Sequence, residues 1–151
     1  MKFIYHVALL AIVILMLSFS KDYSCFRAGI KGHVYLEAGN RMPTIGEPLP
    51  EPKGIKTSLY IYELTNINDV QRDGQSAFYH SINTSLVKEV ETDDKGYFRV
   101  KLKPGNYSLF VKKGDRFYSS QFDEKNNIHP VQVKPGKMTR VVFKANYGAV
   151  Y

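Results

Sequence analysis

The chain has 151 residues, 44% of them hydrophobic, which suits one domain with a packed core and excludes wholesale disorder. Its single cysteine, Cys25, excludes an intramolecular disulfide, so stability has to come from packing. Net charge is +7, and the lysines and arginines are spread along the chain instead of forming a block. That distribution fits a solvated face or attraction to an anionic surface, and no nucleic-acid module signature accompanies it.

The first predicted element is an export signal. Met1-Lys2 gives a short positive start, and Val7 to Leu17 is an apolar run of signal-peptide length, short for a membrane span. Ser18 and Ser20 place small residues at the −3 and −1 positions of a cut after Ser20. Residues 1–20 are therefore expected to be removed, with 21–28 as a leader. Cys25, preceded by the small Ser24, gives the alternative of a bacterial lipoprotein lipidated at Cys25. Asp22 stands where such a signal usually has an apolar residue, so the two forms of export stay open. Nothing near Cys25 would activate it as a nucleophile.

Ile30 to Glu37 reads as the first strand. The stretch from Gly39 to Gly54 carries Pro43, Pro48, Pro50 and Pro52, a density that excludes a ladder strand. Thr57 to Leu64 is the second strand, with Leu59 and Ile61 on one face and Tyr60, Tyr62 and Leu64 on the other. A strand apolar on both faces is central or has its outer face covered. Thr65 to Ser76 is a polar connection. Ala77 to Ile82 and Leu86 to Glu91 follow as short strands.

Thr92 to Lys112 carries the clearest pattern. Phe98, Val100 and Leu102 alternate with Arg99, Lys101 and Lys103, and Tyr107, Leu109 and Val111 share one face beyond Pro104-Gly105-Asn106. Period-two alternation around such a turn predicts a half-buried antiparallel hairpin. Arg116 to Phe122, Ile128 to Val133 and Thr139 to Ala145 complete the set. Short strands about ten residues apart, with no convincing amphipathic helix, predict a single antiparallel β-sandwich of about seven strands. The expected core is Phe98, Val100, Leu102, Tyr107, Leu109, Val111, Val131, Val133, Val141 and Phe143.

The run from Asp94 to Val111 resembles the D-x-G-x-F-x-V-x-L-x-P-G-x-Y-x-L-x-V signature of carboxypeptidase regulatory-like domains, which are transthyretin-like sandwiches. Gly29 to Val34 resembles their first strand. Val131 to Lys137 with Val141 to Phe143 resembles their last hairpin. The resemblance spans 29–147, leaving 148–151 as a tail. It implies a bacterial folding or interaction module without catalytic residues. The transthyretin-like hydroxyisourate hydrolases carry a C-terminal Tyr-Arg-Gly-Ser and paired histidines; this chain ends in Asn146-Tyr147-Gly148-Ala149-Val150-Tyr151 and lacks that motif.

The remaining chemistry is sparse. His33, His80 and His129 show no metal-ligand spacing, so no metal and no cofactor is expected. His33 alternates with Lys31 and Tyr35 and is expected on a strand's outer face. Asp93 to Gly96 reads as a turn, and Asp123 to Asn127 is the better of two weak calcium candidates. Binding is expected from aromatics beside lysines. Tyr97 and Phe110 alternate with the core positions, and Phe117 and Tyr118 follow soon after. Packing of these rings beneath the long loops is the competing expectation. The expected function is an exported, non-enzymatic module in the periplasm, at the outer-membrane surface or outside the cell. Its partner would be an envelope protein or polysaccharide, with membrane contact only through a lipid on Cys25. A carbohydrate-binding module is the alternative, and an unrecognised hydrolase the third.

Overall fold

The computed structural model describes residues 27–42, 46 and 48–150; the export segment, Cys25 and Pro43 lie outside the described residues. Eleven strands form two sheets: β1 (Gly29–Asn40), β2 (Lys53–Gly54), β3 (Ser58–Glu63), β4 (Val70–Arg72), β5 (Phe78–Ile82), β6 (Leu86–Glu91), β7 (Tyr97–Lys101), β8 (Gly105–Lys113), β9 (Arg116–Tyr118), β10 (Pro130–Val133) and β11 (Met138–Val150). A 3-10 turn, Ile67–Asp69, precedes β4, and no α-helix occurs among the described residues. The all-β sandwich stands. Its additions to the expected strands are short pieces such as β2, just past the last proline, and β4, inside the expected polar connection.

In the small sheet β1 is central. β11 runs along one side of it, and β7 and β2 share the other. The first and last strands pair in parallel, from Gly29↔Met138 to Asn40↔Val150, so the sandwich is not purely antiparallel. Gly32 permits that approach: a Cβ at this position would lie 1.7 Å from the Val141 carbonyl oxygen. Residues 148–150, expected as a tail, continue β11. Ala28, expected in the leader, is fully buried, and its carbonyl accepts the Leu102 N–H at 3.1 Å.

The large sheet runs β4-β5-β9-β8-β3-β6, with β10 beside the start of β8. The expected hairpin over 92–112 is therefore an arch. β7 pairs with β1 and β8 pairs with β3, so the two strands belong to opposite sheets. Alternation says which side chains face the core, but it is the same for a hairpin, whose apolar faces lie side by side, and an arch, whose apolar faces meet. The Tyr107 hydroxyl pins the bend by donating to the Lys103 carbonyl at 2.8 Å. The expected last hairpin is corrected for the same reason, since β10 and β11 also lie in different sheets.

All ten expected core residues are buried between the sheets, joined by Ile30, Val34, Leu59 and Ile61. At roughly 1.5–3 kcal/mol per fully buried large side chain, this row dominates the stability. A second apolar cluster lies on the opposite side of the large sheet. Tyr62, Tyr79, Phe110 and Ile128 form it, covered by Ile67, Val70, Ile82 and Phe117. The Tyr79 phenol donates to the Ser119 carbonyl at 3.1 Å, and burial pushes its pKa up to about 12.

Candidate functional site

The two apolar clusters decide the fate of three expected binding residues. Phe110 does point away from the main core, but its ring is 0% exposed and stands edge-on to Tyr62 at 5.6 Å and to Tyr79 at 5.7 Å. Phe117 packs against the same cluster, edge-on to Tyr60 at 5.3 Å. Tyr118 is buried in the main core and hydrogen-bonds to Asn146. Phe110 and Tyr118 are packing groups, since a ring without exposed face cannot stack on a ligand at the surface, while Phe117 is half-buried, with the Lys112 ammonium over its ring at 5.6 Å. The correction follows from crowding on the outer face of the large sheet, where Tyr62, Tyr79 and Phe117 of neighbouring strands surround Phe110 and Ile67 of the 3-10 turn packs against the cluster.

Tyr97 is the exception, at 38% exposed on the outer face of the small sheet. The β1–β7 register sets His33 beside Tyr97, and the β1–β11 register sets it beside Val142. The His33 ring lies 5.3 Å from Tyr97 and stacks on Tyr35 at 5.6 Å with 13° between planes. Val142, 46% exposed, extends this strip across the sheet. One level along, Arg99, Lys31 and Arg140 stand abreast across three strands. Lys101 lies beyond them on β7. Among the described residues none of these four cations has an acidic partner; on the same face Lys144 pairs with Glu37 at 3.3 Å. A concavity of about 390 Å³ joins the two rows, lined by Lys31, His33, Tyr97, Arg140 and Val142.

The arrangement holds three aromatic rings next to four unpaired cations. Like charges directly opposite on neighbouring strands disfavour the sheet by roughly 0.2–1 kcal/mol a pair. Such a row is better suited to holding an external anion than to holding the sheet. The outward placement of His33 was legible from its alternation with Lys31 and Tyr35. Its meeting with Tyr97, Arg99 and Arg140 depends on strand pairing.

The two acidic turns have the same construction. Asp93 accepts the backbone N–H groups of Lys95 and Tyr97 at 2.9 and 2.8 Å. Asp123 accepts those of Lys125 and Asn127 at 2.9 and 2.8 Å. The fourth residue has positive φ in both, 78° at Gly96 and 60° at Asn126. These bonds, led by the side-chain amide of Asn127 at 2.8 Å, hold the Asp123 carboxyl below its ordinary pKa. Among the described residues no three His, Cys, Asp or Glu side chains gather into a metal-binding group. The carboxylates close turns. Asp123→Ala is accordingly expected to lower the melting temperature, while millimolar calcium leaves that of the unaltered protein in place. A calcium-dependent rise would return the loop to cation binding.

No family model matches the chain, and no curated protein matches it. Among solved structures it is similar to one from Pseudomonas aeruginosa described as a "putative carbohydrate binding protein". Identity is 17%, the match covers 76% of this chain and 86% of that one, and the TM-score is 0.42. A likeness at this level carries no argument about family or function.

Proposed function

We propose that this chain is an exported, non-catalytic contact module that holds an anionic envelope polysaccharide against the outer face of its small sheet. The row Arg99–Lys31–Arg140 carries the reading, because three unpaired cations abreast are unfavourable to the fold and favourable to a carboxylate-, phosphate- or sulfate-bearing chain. Guanidinium groups would take the acid groups in bidentate fashion, and Tyr97 with His33 would meet the apolar faces of the sugar rings. The Asp94 to Val111 run supports a carboxypeptidase regulatory-like module, and the apolar run Val7 to Leu17 supports export.

The test is affinity electrophoresis in polygalacturonate against neutral dextran. Retention is expected in the first alone, and it should weaken as salt screens the charges. Tyr97→Ala and Arg99→Gln should each reduce affinity by roughly tenfold, the loss of one aromatic or charge-assisted contact. Arg99→Gln should at the same time leave folding stability unchanged or raise it by about 0.2–1 kcal/mol, as relief of cross-strand repulsion requires. Equal mobility in both gels at low salt would remove the proposal. The mass of the mature N-terminus distinguishes cleavage after Ser20 from lipidation of Cys25, and an intact residue 1 would exclude both and leave an uncleaved N-terminal anchor.

A further inference from the structure

We propose a second binding site, for a neutral saccharide, in the groove beside the β8–β10 pair of the large sheet. The groove has a volume of about 600 Å³ and is bordered by Leu64, Asn106, Phe122, Pro130 and Gln132, within the size range of small-molecule sites. Its place in the fold is opposite the sandwich core, beyond Phe110 on the outer face of the large sheet. It does not share a residue with the Tyr97 face.

The lining selects the ligand class. Phe122 is 42% exposed and Leu64 36%, an aromatic ring and an aliphatic shelf that water covers in the free protein. Asn106 and Gln132 are register partners across β8 and β10, both exposed, and neither side-chain amide bonds to another described residue. Two adjacent amides offer donors and acceptors together, the complement of paired sugar hydroxyls, which likewise give and accept. A pyranose needs that combination of an apolar ring face and a ring of hydroxyls. Charge at the rim does not select an anion. Glu124 and Lys125 oppose each other in sign, and the Asp123 carboxylate is taken up by its own turn. Two exposed apolar residues are too few to hold a lipid chain.

The wall is rigid before any ligand arrives. Phe122 and Ile128 form a β-bridge, and the Ile128 N–H donates to the Thr65 carbonyl at 2.8 Å. The Asn66 side-chain amide donates to the Lys125 carbonyl at 2.8 Å, and the Ile67 N–H donates to that of Asn126 at 3.0 Å. The segment carrying Phe122 is thus tied to the start of the 3-10 turn through residues 125–128. A site held this way spends little ordering entropy on binding.

The experiment is a two-dimensional amide NMR titration of the mature chain with cello-, xylo-, malto- and chito-oligosaccharides. At least one series is expected to shift the backbone signals of Phe122 and the side-chain amide signals of Asn106 and Gln132. Phe122→Ala should weaken that binding by about tenfold or more, the loss of one stacking contact. Gln132→Ala, at an exposed position, should weaken it less and serves as the second variant if Phe122→Ala perturbs the loop. Tyr97→Ala should change nothing here, which separates failure of this site from failure of the polysaccharide face. No shift in the groove with any saccharide at tens of millimolar overturns the proposal. So does a panel of unstructured peptides that shifts the same signals when the saccharides do not.

Discussion

Phe110→Ala is expected to destabilise the protein by about 3–5 kcal/mol, the range for deleting a buried phenylalanine ring. The residue has 0% exposure and contacts Tyr62, Tyr79 and Phe117 through edge-to-face geometry, at 5.6, 5.7 and 6.4 Å. Those rings come from β3, β5 and β9 of the same sheet, so the side chain ties β8 to three other strands on the sheet's outer face. Removing it leaves a cavity among rigid aromatics that cannot collapse to fill it. Tyr97→Ala, by contrast, removes a ring that is 38% exposed and supported by His33, and its cost should stay near or below about 1 kcal/mol. Urea denaturation of both variants separates packing from surface roles. A Phe110→Ala protein as stable as its parent would mean that the outer face of the large sheet is open to solvent, and the ring would again be a candidate for stacking on a ligand.

The contrast between these two residues shows what alternation can and cannot reveal. It correctly assigned all ten core positions, because a strand's two faces differ by a fixed period that survives any choice of partner. It also sent Phe110 and Tyr97 away from the core. What it lacks is any statement about what lies on the far side. Part of the packing around the cluster that holds Phe110 comes from Ile67 and Val70, the two apolar residues of the polar stretch Thr65 to Ser76. A 3-10 turn and a three-residue strand are too short for a periodic signal. The arch at 102–104 was misread for a related reason: a tight turn between two alternating runs fixes their direction but leaves their sheets open. The cationic row is the same problem at longer range. Lys31, Arg99 and Arg140 are far apart in the chain, and each alone looks like a solvated charge. Only the parallel β1–β11 ladder and the antiparallel β1–β7 ladder bring them abreast. The groove at Phe122 had no signal, since its border is drawn from four separate segments.

Acidification provides the second large effect. His129 is 5% exposed, sits at φ 39° between Ile128 and Pro130, and stacks on Phe143 at 4.7 Å with 20° between the ring planes. Burial lowers its pKa from 6.5 to about 4, because the imidazolium would lose its water without gaining a carboxylate. The unfolded chain therefore binds a proton at this residue near pH 6.5, while the folded chain binds it only near pH 4. Stability is fully present above pH 6.5 and is lost as pH falls through that window, by an amount on the order of 3 kcal/mol. Denaturant midpoints measured from pH 8 to 4 should show the decline. His129→Asn should flatten it, since asparagine tolerates positive φ and does not titrate, although the variant starts from a lower stability without the ring on Phe143. The comparison has to be made on the slope between pH 6.5 and 4.5, above the range in which the Asp123 carboxyl, held low by its turn, takes up its proton. Parallel curves for the two proteins would show that His129 is solvated or charged in the folded state. Phe143 would then be exposed on the side where the core now closes over it.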